Sequence, residues 1–296
     1  MFENIVGNNE IKDMLAKSVK QSTILNSYLF IGMDGIGKKM IAFEFAKMLL
    51  CTGEEKYCNK CKSCIEFDTN NNPDFLCIEP DGNSIKIEQI RYLQKKIQEK
   101  PIISDKKVYI INDANLMTVE AQNCLLKTLE EPPEFAIIVL IGNNENSFLA
   151  TIKSRCVILH FQLLDNKVIR KFLEERYDVK NISDNILDTF QGSIGKAILI
   201  KDKQEEYQKI QDMIENLDKK DLIDIIKLAE PLYKAKEEIF EILDYINIVL
   251  LRKAKKKYLY TNCIQIVENT KKRIKQNSNY DMCIDNMVFN MWEEVN

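Results

Sequence analysis

The sequence predicts an α/β fold: a parallel five-stranded sheet with helices on both faces, followed by a purely helical remainder. Three observations predict it. Five short apolar runs rich in β-branched residues alternate with stretches of helical periodicity as far as Phe161. A turn of the form G-x-x-x-x-G-K joins the first of these runs to the helix after it. Beyond Phe161 no convincing strand remains, only helical spacing.

Taken in order, Ile11, Met14, Leu15 and Val19 recur at helical spacing and predict an opening amphipathic helix. Tyr28-Leu29-Phe30-Ile31 reads as a buried strand, and residues 40–50 as a buried helix. A polar, cysteine-marked insertion at 51–64 precedes a strand at 75–78. The helix expected over 87–100 stops at Pro101, which cannot continue it and disfavours helix in the residue before. Strands follow at 108–111, 136–141 and 157–161, and a helix at 119–131 is capped by Thr118 and closed by Pro132-Pro133. In the helical remainder Ile239, Phe240, Leu243, Ile246, Ile248 and Leu251 share a periodicity, and the charged residues 201–204 read as a hinge.

At 45% apolar and 29% charged residues, a chain of 296 can form two or three domains with cores of their own. The net charge of −3 argues against a surface built wholly to bind nucleic acid; DNA contact would need a local patch or an assembly. No run of about 18 apolar residues exists, so no membrane span is expected. The first residues carry neither a basic nor an apolar leader region, so the expected location is cytoplasmic, with the nine cysteines kept reduced.

Gly32-Met33-Asp34-Gly35-Ile36-Gly37-Lys38-Lys39 lies between a strand and a helix, the setting a phosphate loop requires. Gly32, Gly35 and Gly37 let backbone N–H groups wrap phosphates, and Lys38 would reach the outer ones. Lys39 stands where the motif wants a Ser or Thr hydroxyl for Mg²⁺. After the strand at 108–111, Asn112 occupies the place of a magnesium-orienting carboxylate, and Asp113 has a shorter reach toward water than Glu. Slow or absent hydrolysis is expected, with nucleotide binding without turnover left open.

Cys51, Cys58, Cys61 and Cys64 give C-x6-C-x2-C-x2-C, enough thiolates for one tetrahedral, structural Zn²⁺ with no position left for catalysis. A redox pair is the alternative; a nucleic-acid-reading finger is disfavoured by the mixed charges of the insertion. Cys77, Cys124, Cys156, Cys263 and Cys283 are scattered at mostly apolar positions and are expected to pack.

Residues 117–133, with Leu125-Leu126-Lys127-Thr128-Leu129-Glu130-Glu131-Pro132-Pro133, and the turn Ser154-Arg155-Cys156 resemble AAA+ clamp-loader subunits. The cysteine spacing, Asn72-Pro73-Asp74 and Gly192-Ser193-Ile194-Gly195-Lys196-Ala197 make the chain most similar to the delta-prime family of the bacterial DNA polymerase III clamp loader. The resemblance covers residues 1 to about 200. It implies an AAA+ core at 1–163, a helical lid at 164–203 and a helical collar at 204–296 through which five subunits form a ring. It implies Arg155 as an arginine finger for the ATP site of an adjacent motor subunit, and Asn143 or Asn144 as the polar residue sensing the terminal phosphate. The implied partners are motor and clamp-opening subunits, with the sliding clamp and primed DNA met through the complex. Polymerase activity would belong to the holoenzyme. Lys39, Asn112-Asp113 and Gly195-Lys196 depart from the pattern of active motor subunits, which implies little or no ATPase of this chain's own and leaves the role of Arg155 untouched.

His160, the only histidine, lies in an apolar run and is expected to be a core or edge residue. The basic runs at 252–257 and 271–275 are expected to be solvated faces more than DNA contacts. Trp292 is expected to anchor a helix. Three classes of function stand: a clamp-loader assembly subunit, an independently active AAA+ ATPase, and a zinc-dependent nucleic-acid-binding module.

Overall fold

The structure, a computed structural model, describes residues 2, 5–179, 182, 184–236 and 238–296. The chain forms two compact units, Met1–Val168 with Gly192–Gly195, and Ile169–Gln191 with Lys196–Asn296.

The first unit runs α1 (Asn9–Lys20), β1 (Ser27–Ile31), α2 (Lys38–Leu50), α3 (Lys62–Asp68), β2 (Phe75–Ile78), α4 (Ile87–Ile97), β3 (Lys107–Ile111), α5 (Val119–Glu130), β4 (Ala136–Gly142), α6 (Ala150–Lys153) and β5 (Val157–His160). All pairings are parallel and the strand order is β2-β3-β4-β1-β5. This is the fold class expected. The apolar runs are continuous because both faces are covered. Successive side chains point to opposite faces, so Tyr28 and Phe30 pack with Leu15 and Phe45 of α1 and α2. Leu29 and Ile31 pack instead with Leu93 and Leu125 of α4 and α5.

Boundaries differ from expectation where neighbours intervene. Helix α2 starts at Lys38 because Gly37, at φ 95°, turns the loop directly into it. Helix α4 ends at Ile97, short of the expected residue 100 that Pro101 restricts. Helix α3 was not expected: it is seven residues long, too short for a period to show, and begins where the Cys61 side chain accepts from the Cys64 N–H.

The chain continues through α7 (Asn166–Tyr177), α8 (Asp184–Thr189), α9 (Ile194–Ile200), α10 (Gln204–Glu215), α11 (Leu222–Leu228), α12 (Glu230–Lys234), α13 (Ile239–Ala254), α14 (Tyr260–Lys275) and α15 (Tyr280–Val295). Residues 201–203 make a 3-10 turn running straight into α10, and Lys203 pairs with Glu238, so the expected hinge is an ordered connection. The basic runs are matched internally in part. Arg252 pairs with Asp188, Lys257 with Asp218, and Lys271 with Asp244 and Glu268. Lys253 donates to the carbonyls of Ile214 and Glu215. Trp292 Nε1 donates to the Lys220 carbonyl at 2.9 Å, fastening α15 as expected. Among the described residues no helix is long and apolar enough to cross a membrane.

Candidate functional site

In an open parallel sheet, ligands are met at the carboxyl ends of the strands. Here those ends carry Gly32 after β1, Glu79 after β2, Asn112-Asp113 after β3 and Asn143 after β4.

The phosphate loop has its expected strand–loop–helix setting, yet its lysine faces inward. Lys38 Nζ donates to the Gly32 carbonyl at 2.5 Å and the Met33 carbonyl at 2.7 Å, with Asp34 Oδ1 at 3.5 Å. Burial lowers its pKa, against the pull of Asp34. Asn143 Nδ2 donates to Asp34 Oδ2 at 3.1 Å, so of the two candidate asparagines Asn143 reaches the loop. Asn144 instead accepts from the Asn146 N–H and shapes a turn.

Lys39 Nζ lies 2.7 Å from Glu79 Oε1. Asn112 Nδ2 donates to Glu79 Oε2 and to Asp113 Oδ2, both at 2.9 Å. The ammonium therefore supplies positive charge beside the carboxylates near which a divalent cation would sit, and it offers no oxygen ligand. Residues placed this way fit Mg²⁺ poorly. The hydrogen bond to Glu79 raises the Lys39 pKa, while Glu79 is held below the usual carboxylate range, burial opposing and Lys39 and Asn112 prevailing. Asp113 moves the other way: burial, then Asp34 and Glu79, raise it.

The tip of the loop is also covered. Gly195 N donates to the Gly35 carbonyl at 2.9 Å. A Cβ on Gly35, whose φ is +75°, would lie 2.2 Å from Ser193 Oγ and 3.2 Å from Gly195 Cα. Glycine at both 35 and 195 lets these two backbones touch.

Arg155 follows α6. Its Nη2 lies 2.7 Å from Glu130 Oε1, and its Nη1 donates to the Thr151 carbonyl at 2.9 Å and to Ser154 Oγ at 3.2 Å. None of these partners belongs to the loop.

The four expected cysteines converge. Their Sγ atoms all lie within 4.8 Å of one another, and the set can hold a metal ion. Cys51 and Cys64 are buried, Cys58 and Cys61 half-buried. Backbone N–H groups of Cys58, Cys61 and Cys64 donate to the sulfurs of Cys51, Cys58 and Cys61 at 3.4, 3.3 and 3.5 Å. Burial works against ionising Cys61, but hydrogen bonds from Thr52 and the Cys64 N–H outweigh it and bring the thiol down to about 5. The insertion is tied to the sheet through Asn72-Pro73-Asp74. Asn72 Nδ2 donates to the Ser63 carbonyl at 2.9 Å, and buried Asp74 accepts the N–H groups of Ile102, Ile103 and Ser104. Among the scattered cysteines, Cys263 and Cys283 are buried while Cys77, Cys124 and Cys156 are half-buried. His160 proves an edge residue: exposed on β5, it meets Glu145 Oε2 at 2.7 Å.

Sequence reasoning missed Glu79, Asn115 (which accepts the Asn143 N–H at 3.2 Å) and Glu130 as site residues. An acid directly past β2 was a readable signal for Glu79, because that is where strand ends face the loop. Nothing local marked the other two.

The family model described as DNA polymerase III, delta subunit, matches residues 7–165. The chain is 34% identical over 231 residues to DNA polymerase III subunit delta' of Bacillus subtilis (strain 168), covering 78% of this chain and 66% of that protein. It is 31% identical over 210 residues to DNA polymerase III subunit tau of Escherichia coli (strain K12), covering 68% of this chain and 32% of that protein. It thus spans just under two thirds of the first relative and about a third of the second. A solved structure of a DNA polymerase III, gamma subunit-related protein from Thermotoga maritima shares the fold, with a TM-score of 0.58 at 17% identity over 95% of this chain and 99% of that one. With its phosphate-loop core matched over more than half its length, the chain belongs to the DNA polymerase III delta subunit family.

Proposed function

We propose that this chain is a clamp-loader subunit acting in DNA replication, and that it donates Arg155 to the ATP site of a neighbouring subunit while turning over little or no ATP itself. The observation carrying this reading is the contrast between two cationic sites. Lys38 is spent on its own loop carbonyls and Lys39 on Glu79. Arg155, by contrast, stands partly exposed on a turn outside the loop, fixed by Glu130, Thr151 and Ser154. A guanidinium stays charged at any physiological pH, and its planar donors match the oxygens of a phosphoryl group in transfer.

In this reading residues 1–163 are an AAA+ core, 164–203 a lid and 204–296 a collar joining the chain to motor and clamp-opening subunits in a five-membered ring. The sliding clamp and primed DNA are met through that assembly, in the cytoplasm. The cysteine cluster holds a structural Zn²⁺. Tetrahedral bonds of about 2.3 Å put sulfurs about 3.8 Å apart. The Cys51–Cys58 and Cys51–Cys61 separations are 3.6 and 3.9 Å. A bound ion would close the loop between α2 and α3 without a vacant ligand position.

The test is the DNA-stimulated ATPase of a reconstituted loader carrying wild-type chain or Arg155→Ala, after both are shown to assemble. A fall of about 10³-fold is expected, the scale on which arginine fingers act. Unchanged turnover in an intact assembly would leave the chain a scaffold. Mg²⁺-dependent turnover by the isolated chain, abolished by Lys38→Ala, would support the independent ATPase instead.

A further inference from the structure

We infer that Glu130 is a positioning residue for Arg155, holding the guanidinium in the orientation in which it serves the neighbouring site. The inference rests on the reading of Arg155 as a finger acting in trans.

Glu130 is the last residue of α5. A carboxylate there opposes the helix dipole, whose carboxyl end favours cations. Its placement therefore weakens α5 locally, unless a cation answers it. The cation that does is Arg155, at 2.7 Å. The same guanidinium donates from its other terminal nitrogen to Thr151 and Ser154, so it is held from two sides. An arginine side chain unrestrained in water samples many rotamers, and this arrangement removes that freedom before any phosphate arrives.

The elements bearing the two residues are locked together as well. Gln122, 3% exposed on α5, donates from Nε2 to the Ser147 carbonyl at 2.9 Å and accepts the Leu149 N–H on Oε1 at 2.9 Å. Ser147 and Leu149 lead directly into α6 and hence to Arg155. One buried amide therefore fixes the turn before α6 against α5, and Glu130 fixes the side chain beyond α6 against the same helix. An ordinary exposed ion pair contributes little to stability. Orientation is what this pair can contribute, and misplacing a catalytic group costs far more rate than stability.

The experiment uses the reconstituted loader with Glu130→Ala, Glu130→Gln, Arg155→Ala and Glu130→Ala/Arg155→Ala, each checked for assembly and thermal midpoint. Glu130→Ala should lower kcat roughly tenfold or more with KM for ATP and assembly unchanged. Glu130→Gln, which keeps an oxygen acceptor at the same reach, should recover most of that loss. The double variant should be no slower than Arg155→Ala alone, because Glu130 acts through the arginine. A large loss with Arg155→Ala but none, or a gain, with Glu130→Ala would overturn the assignment of Glu130 and leave the finger standing. Additive losses would overturn it too, placing Glu130 in some other role. No loss with Arg155→Ala would overturn the finger reading itself and this inference with it.

Discussion

Lys39 and Glu79, forty positions apart in sequence, meet at 2.7 Å at the carboxyl edge of the sheet, beside the loop that names the fold. Asn112 completes the contact by donating to the second oxygen of Glu79 and to Asp113. In the proposed reading, an ammonium and an amide thus stand where an active motor subunit would use a hydroxyl and a carboxylate to collect a divalent cation.

The double variant Lys39→Thr/Asn112→Asp is therefore expected to bind Mg²⁺-nucleotide at least tenfold more tightly than wild type, with the gain lost in excess chelator. Titration calorimetry with and without Mg²⁺ checks it. Equal affinity in both proteins would show that the covered loop, and not the missing ligands, limits binding.

Gly35→Ala should destabilise the first unit. Its positive φ alone costs an ordinary L-residue about 1–2 kcal/mol, and the new Cβ would meet Ser193 Oγ at 2.2 Å. Gly195→Ala presses on Gly35 Cα at 2.9 Å and should be destabilising as well. Chemical denaturation of each variant measures both effects; a neutral Gly35→Ala would mean that the 192–195 segment yields easily.

One zinc per chain is expected by elemental analysis of metal-replete protein. Cys58→Ser or chelation should lower the thermal midpoint by several degrees, about 2–4 °C for each kcal/mol lost. The loss should fall on the sheet-bearing unit, because Asn72 and Asp74 tie the insertion to it. A metal-free protein with an unchanged midpoint would return the cluster to a redox reading.

In the helical unit, Lys257 Nζ donates to Asp218 at 2.7 Å, with Lys253 at 3.6 Å. The Lys257 hydrogen bond, with burial opposing and Lys253 adding to it, holds the Asp218 pKa down to about 2. A folded pKa below the unfolded value of about 3.9 means stabilisation that is present above that value and lost as pH falls through 2. Asp218→Asn should therefore be less stable than wild type at neutral pH, with the difference shrinking from about pH 4 downward. Denaturation at pH 7 and pH 2.5 checks the sign.

Much of this was legible in the residues in order. Continuous apolar runs announced buried parallel strands, and Pro101 and Pro132 announced where two helices had to end near them. Four cysteines within fourteen positions, with two C-x-x-C steps among them, announced a converging cluster, since that spacing suits tetrahedral ligation by thiolates. Helix α3 escaped because its seven residues fall below two helical turns. His160 was left between core and edge because an apolar run does not tell an edge strand from a central one, and its place on β5 decided for the edge.

Periodicity, turn chemistry and ligand spacing are local properties, carried by residues a few positions apart, and so the strand and helix pattern, the loop type and the cysteine cluster follow from the chain alone. The partners of charged side chains are not local. Asp34 finds Asn143 across 109 positions, and Gly35 finds Gly195 on a different stretch of chain. That Lys39 takes Glu79 was settled when the sheet brought its strand ends together, and that Arg155 takes Glu130 when α5 packed against α6, because a charge pairs with whatever the packed backbone places within reach.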